Sequence, residues 1–96
     1  MPAYIIVEID IHDPEQYEDY KKLTPASLLP YNGKFVVRGG ETESLEGGWD
    51  PKRLVVLAFP SKELAKQWWS SQEYAPAKEL RQRIATTKMI LVEGVG

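Results

Sequence analysis

The sequence predicts an α+β domain in the order β-α-β-β-α-α-β, with a four-stranded antiparallel sheet that carries its helices on one face. Three observations lead there. Four apolar runs of strand length alternate with helical stretches over residues 14–29 and 61–84. The two middle runs follow one another across a polar loop, and neighbours joined this way pair antiparallel. The later strands are apolar on both faces, which is more apolar surface than helices on one side can cover.

The first strand spans residues 4–11, with Ile5, Val7, Ile9 and Ile11 on one face and Tyr4, Ile6, Glu8 and Asp10 on the other. Asp13, Pro14 and Gln16 then supply a cap, a proline at the first helical position and a capping-box partner, so a helix starts at Pro14. Tyr17, Tyr20, Leu23 and Leu28 are placed on its buried side. Thr24-Pro25 is expected to break or re-cap that helix before a last turn through Leu29, and Asn32-Gly33 ends the unit. Strand two is read over about 34–39 and strand three over about 53–59. Gly39-Gly40 suits a β-bulge or bend, and Thr42 to Leu45 either extends the pairing or forms a short strand. Ser61 caps a helix carrying Leu64, Ala65, Trp68 and Trp69, whose two indoles point about 100° apart, so at most one faces the core squarely. Ser71 starts a third helix through Ile84, and Met89 to Val92 forms the last strand.

With 96 residues and 43% hydrophobic side chains the chain forms one domain with one modest core. A formal net charge of −2 without a basic stripe argues against nucleic-acid or anionic-membrane partners. The absence of cysteine removes disulfides, thiolate chemistry and zinc-type clusters, and fits a reducing cytoplasm. Glu8 and Asp10 interrupt the apolar N-terminal run, so it reads as neither a signal peptide nor a membrane span. Apolar residues on both sheet faces imply a homodimer packed sheet to sheet, since each such residue is worth roughly 1.5–3 kcal/mol when buried.

The residues Asp13-Pro14-Glu15 with Tyr17 and Tyr20, Tyr31-Asn32-Gly33, Arg38-Gly39-Gly40, Glu46-Gly47 with Trp49, Pro51 and Arg53, Phe59-Pro60, and Ser71-Gln72-Glu73-Tyr74 ending at Arg81 carry a resemblance. Over nearly its whole length the chain resembles the family called domain of unknown function 1330. The resemblance implies a ferredoxin-like subunit of the dimeric α+β barrel superfamily, in which two sheets meet face to face. That superfamily includes cofactor-independent monooxygenases, haem-degrading proteins, lactone isomerases and stress-response barrels, so the fold leaves the reaction open.

The loop between strands two and three concentrates charge and aromatic surface, with Arg38, Glu46, Trp49 and Arg53 as candidate ligand contacts. The two guanidinium groups can clamp a carboxylate or phosphate; the alternative is pairing with Glu41, Glu46 or Asp50. Glu46 is a candidate general base on a loop that glycines allow to close. Tyr17, Tyr20, Tyr31 and Tyr74 are candidates for orienting or protonating an oxyanion, the alternative being an amphipathic core edge. His12 beside Asp13 is either a proton shuttle or an exposed loop residue, and Asp10, His12 and Asp13 are too crowded for a metal site. Arg81 either anchors a carboxylate at the pocket or pairs with Glu8 or Glu93.

The resulting expectation is a cytoplasmic homodimer whose subunits bind a small aromatic or carboxylate-bearing metabolite between sheet and helices, with no cofactor or metal. The alternatives are a cofactor-independent enzyme of oxidation or isomerisation, with Glu46, Tyr17 or His12 carrying the chemistry, and a structural or stress-response barrel without a ligand.

Overall fold

A computed structural model describes residues 1–96. Its elements are β1 (Ala3–Ile11), α1 (Pro14–Leu28), a 3₁₀ turn (Leu29–Tyr31), β2 (Lys34–Arg38), β3 (Leu54–Phe59), α2 (Lys62–Trp69), α3 (Ala75–Ile84) and β4 (Ala85–Glu93). The sheet runs β2-β3-β1-β4 with every neighbouring pair antiparallel. Such an order places β1 and β3 at the centre, where strands are flanked on both edges. Their inward residues Ile5, Val7, Ile9, Val55, Leu57 and Phe59 are the buried floor on which the helices sit.

Most element starts follow from local chemistry. Asp13 Oδ1 accepts from Gln16 N at 3.1 Å and Oδ2 from Gln16 Nε2 at 2.8 Å, closing the capping box ahead of Pro14. The Gln16 side-chain amide, reinforced by its backbone N–H, holds the Asp13 carboxyl below the usual carboxylate range. Ser61 Oγ accepts from Leu64 N at 3.2 Å and starts α2. Ser71 is engaged in the same way with Tyr74 N at 3.1 Å, but it caps a turn, and α3 proper begins at Ala75.

Several elements differ from the sequence expectation. β4 begins at Ala85, directly after α3, because Ala85 to Lys88 pair with Ile11 to Glu8 of the long first strand. Residues 42–45 form no strand. Gly39 makes the bend expected there, while the bulge lies at Val36: Phe35 pairs with Leu57 and Val37 with Val56, so β2 carries one extra residue. That extra residue turns Arg38, opposite Val55, onto the helix side of the sheet. Leu23 is 47% exposed, and the positions buried in its place are Thr24 and Ser27.

Pro25 does not break α1. Its ring nitrogen cannot donate to the Lys21 carbonyl one turn earlier, and Arg38 Nη2 donates to that carbonyl instead, at 2.8 Å. The orphaned acceptor is satisfied from β2. In Pro25→Ala the new backbone N–H competes for that carbonyl, so Arg38→Ala should cost about 1 kcal/mol in the natural chain and close to nothing beside Pro25→Ala. A double-mutant cycle by urea denaturation reads the difference.

The molecule is a slab with extents of 34 × 33 × 16 Å, two layers thick. All three helices lie on the face of Ile5 and Val7. The opposite face presents Tyr4, Ile6, Leu54, Val56 and Ile90 across three strands, with Ile90 61% exposed. No helix is long and apolar enough to cross a membrane.

Candidate functional site

Between the layers a chain of aromatic rings runs from the core toward β2. Trp68, fully buried on α2, stacks on Tyr74 with centroids 3.9 Å apart and tilts against Phe59 at 5.6 Å. Its indole N–H donates to Ser27 Oγ at 3.0 Å. Tyr74 meets Tyr20 edge-on, and Tyr20 meets Tyr17 at 5.3 Å between centroids. The neighbouring indole, Trp69, is 43% exposed, so only one of the pair faces the core.

The polar ends of these rings are joined. The Tyr20 and Tyr74 hydroxyls are 2.8 Å apart, and Arg81 Nε donates to the Tyr74 hydroxyl at 3.2 Å. Arg53 Nε donates to the Tyr17 hydroxyl at 3.2 Å. Arg81 is only 4% exposed, and no carboxylate pairs with it: the protein's ion pair is Lys21–Glu18. The Arg81 Nε is turned inward to the phenol, and a guanidinium so largely withdrawn from water without a counter-charge gives up hydration. It therefore polarises Tyr74. Two phenols joined by one hydrogen bond retain one further O–H hydrogen, and Arg81 contributes only a donor, so the pair keeps a hydrogen to offer.

That pair borders a cavity of about 20 Å³ between helices and sheet, room for about one water. Tyr17, Tyr20, Tyr74, Trp68, Arg38, Arg53 and Lys21 all line it, and no acidic side chain does. Burial raises the Tyr20 phenol well above its ordinary value, and the adjacent Tyr74 adds to this. Burial also raises Tyr17, opposed by Arg53. Both phenols are proton donors at neutral pH and not bases. Because unfolding frees phenols that ionise near pH ~10, the folded state holds more protons above that pH, and stability falls as pH rises through it. Urea midpoints at pH 9, 10 and 11 should fall progressively, and less steeply in Tyr20→Phe.

Gly39 positions Arg53. Its φ of +72° lies in the left-handed region, and a Cβ there would collide with Arg53 Nη1 and approach Cζ to 2.6 Å. Arg38 stacks over the Phe35 ring at 4.2 Å and rims the same cavity. Neither arginine pairs with Glu41, Glu46 or Asp50, which corrects that alternative. Arg81 likewise pairs with neither Glu8 nor Glu93.

The remaining candidates lie elsewhere. Glu46 is exposed on the 39–53 loop, and Trp49 there is 60% exposed and donates to Glu8 Oε1 at 3.2 Å, outside the tyrosine cavity. His12 is exposed with Nε2 2.6 Å from Thr86 Oγ1, and Asp13 is engaged in the helix cap, so it does not hold the imidazole. Tyr31 donates to Glu73 Oε1 at 2.8 Å and does not line the tyrosine cavity. Trp68 carries more of the site than the sequence reading assigned to it; its six-residue spacing to Tyr74 across the α2–α3 turn is the signal that was there to be used.

An all-antiparallel β2-β3-β1-β4 sheet with helices on one face, and a phenol–guanidinium cavity between the layers, defines a ferredoxin-like α+β domain. The chain belongs to the family described as domain of unknown function (DUF1330), whose profile matches residues 2–95. Similar solved structures include RPA0582, a protein of unknown function from Rhodopseudomonas palustris, at TM-score 0.77 and 16% identity, covering 99% of this chain and 83% of that one. A dimeric ferredoxin-like protein of unknown function from Jannaschia sp. CCS1 matches at TM-score 0.76 and 11% identity, covering 98% of this chain and 100% of that one. SnoaB, a cofactor-independent oxygenase from Streptomyces nogalater, matches at TM-score 0.67 and 14% identity, covering 99% and 94%. At these identities the likeness is one of fold. No curated protein matches the sequence.

Proposed function

We propose that this protein binds a small aromatic metabolite carrying an acidic or carbonyl oxygen, in the space between sheet and helices, and that it does so as a cytoplasmic homodimer joined through the open sheet faces. The carrying observation is Arg81, a buried guanidinium without a carboxylate that acts on the Tyr74–Tyr20 pair at a cavity lined by cations and no acids. The free phenolic hydrogen suits a ligand oxygen, the stacked rings suit a flat apolar body, and Arg53 suits a negative charge. The cavity is too small for a metabolite as it stands, so binding requires side chains to move.

A second reading is cofactor-independent oxidation of that ligand, supported by the fold shared with SnoaB. In it Tyr17, Tyr20 and Tyr74 hold and protonate a developing oxyanion. Glu46 and His12, lying away from the cavity, have no part in it.

The test is a thermal-shift screen of aromatic acids and phenols on the natural protein and on Tyr74→Phe, with product analysis of any hit. A saturable shift lost in Tyr74→Phe is expected; unchanged ligand afterwards separates binding from turnover. No shift for any compound leaves the structural-barrel alternative. Sedimentation at micromolar concentration should give twice the subunit mass, reduced to one by Ile90→Lys on the open face; a natural protein already at one subunit mass contradicts the dimer.

A further inference from the structure

A second, larger hollow lies at the β4 edge beneath α2, with a volume of about 490 Å³. Its walls are Ile5, Ile90 and Leu91 from the sheet and Ala65 and Trp69 from α2, with Lys66 at the rim. It falls within the range of small-molecule sites, whereas the 20 Å³ tyrosine cavity does not. Met89 lines both spaces. The register explains this: Met89 pairs with Val7, which borders the cavity, while Leu91 pairs with Ile5, which borders the groove. One unbranched, half-buried side chain thus borders both spaces, and methionine, with three rotatable bonds, repacks readily.

Charge identifies the occupant. The protein has a net charge of −2, yet the charged residues of the two spaces are Lys21, which pairs with Glu18, and the cations Arg38, Arg53 and Lys66, which pair with no carboxylate. Lys66 has no carboxylate partner. Trp69 is pinned by Lys78, whose Nζ lies 3.9 Å from the ring centroid and donates to the Trp69 carbonyl at 2.9 Å, so it forms a fixed aromatic wall.

From this we infer that the groove is the entry and holding site for a planar aromatic anion, with Met89 as the gate through which its leading oxygen reaches Tyr20 and Tyr74. The inference rests on the binding role proposed for the tyrosine cavity and adds its route, its missing volume and a specificity-determining residue. Lys66 draws the anion to the groove and Arg53 receives it at the far end. Ile90 of the open sheet face also borders the groove, so a partner packed on that face adjoins it at the β4 edge.

The probe is 4-nitrobenzoate, an aromatic anion that quenches indole emission on contact, titrated into Trp49→Phe, where the emitters are Trp69 on the groove wall and Trp68 at the cavity. Saturable quenching is expected. Lys66→Glu, on the exposed face of α2, should weaken it roughly five- to tenfold by charge reversal at the rim. Met89→Ala should tighten it several-fold or speed its onset. Quenching that Arg53→Met abolishes but neither Lys66→Glu nor Met89→Ala alters overturns the route while leaving the cavity's binding role intact. No quenching even in Met89→Ala, with far-UV dichroism unchanged, overturns both.

Discussion

Trp68→Ala should lower stability by about 3–5 kcal/mol, the range for emptying a fully buried aromatic position. Trp68 has no exposed surface, packs face to face with Tyr74 at 3.9 Å, lies against Phe59 and ties α2 to α1 through Ser27. A domain of this size holds roughly 5–15 kcal/mol in total, and each kcal/mol is worth about 4–8 °C of melting temperature. The variant is therefore expected to melt at least about 12 °C lower or to be unfolded at 37 °C. Trp68→Phe keeps a stacked ring and loses the bond to Ser27, for a cost of about 1–2 kcal/mol. Trp69→Ala, one residue on and 43% exposed, should cost about 1 kcal/mol or less. Guanidinium denaturation of the three variants checks the order, and a Trp68→Ala cost equal to that of Trp69→Ala would show the ring stack to be incidental.

Arg81→Met should do the opposite: leave stability level or raise it, while weakening ligand binding about tenfold or more. The guanidinium is largely buried without a counter-charge, and an apolar chain of similar length avoids the desolvation cost that such an ion carries. The methionine retains the packing of the Arg81 stem but donates nothing to Tyr74. Removing a group held at a stability cost for its chemistry gives a gain in stability and a loss of function. Calorimetry of the free variant and titration with a screened aromatic acid read the two effects separately. A melting temperature lower by 8 °C or more, with ligand affinity unchanged, would make Arg81 a structural strut.

Local chemistry made much of this fold legible. Alternation in Ile5, Val7 and Ile9 set the buried face of β1, the Asp13-Pro14-Gln16 signal set the start of α1, and the angular separation of Trp68 and Trp69 required them to diverge. What escaped depends on contacts between distant segments. Pro25 reads as a helix breaker until Arg38, brought over from β2, replaces the missing donor. Val36 reads as an ordinary strand residue, and its bulge emerges only from the register with β3, yet it decides that Arg38 faces the helices. Ala85 to Lys88 are drawn into β4 by the length of β1.

The candidate site was legible in its residue types more than in its geometry. Tyr17 and Tyr20 were placed together on the buried side of α1, and Tyr74 and Arg81 were named as candidates at the pocket. That Tyr20 and Tyr74 meet across two helices, with Arg81 behind them, needs the α1–α3 packing that sequence periodicity does not encode. The 39–53 loop contributes Arg53 through its end at β3, while its exposed middle, with Glu46 and Trp49, stays outside the cavity.

The direct measurement is a carbon–proton correlation spectrum of the protein with ¹³C-labelled tyrosine rings, titrated with an aromatic carboxylate from the thermal-shift screen. Saturable movement of the Tyr20 and Tyr74 ring signals, with those of Tyr4 and Tyr31 stationary, is the predicted result. Movement confined to Tyr4 and Tyr31, or none at saturating ligand, contradicts a binding site built on the buried phenol pair.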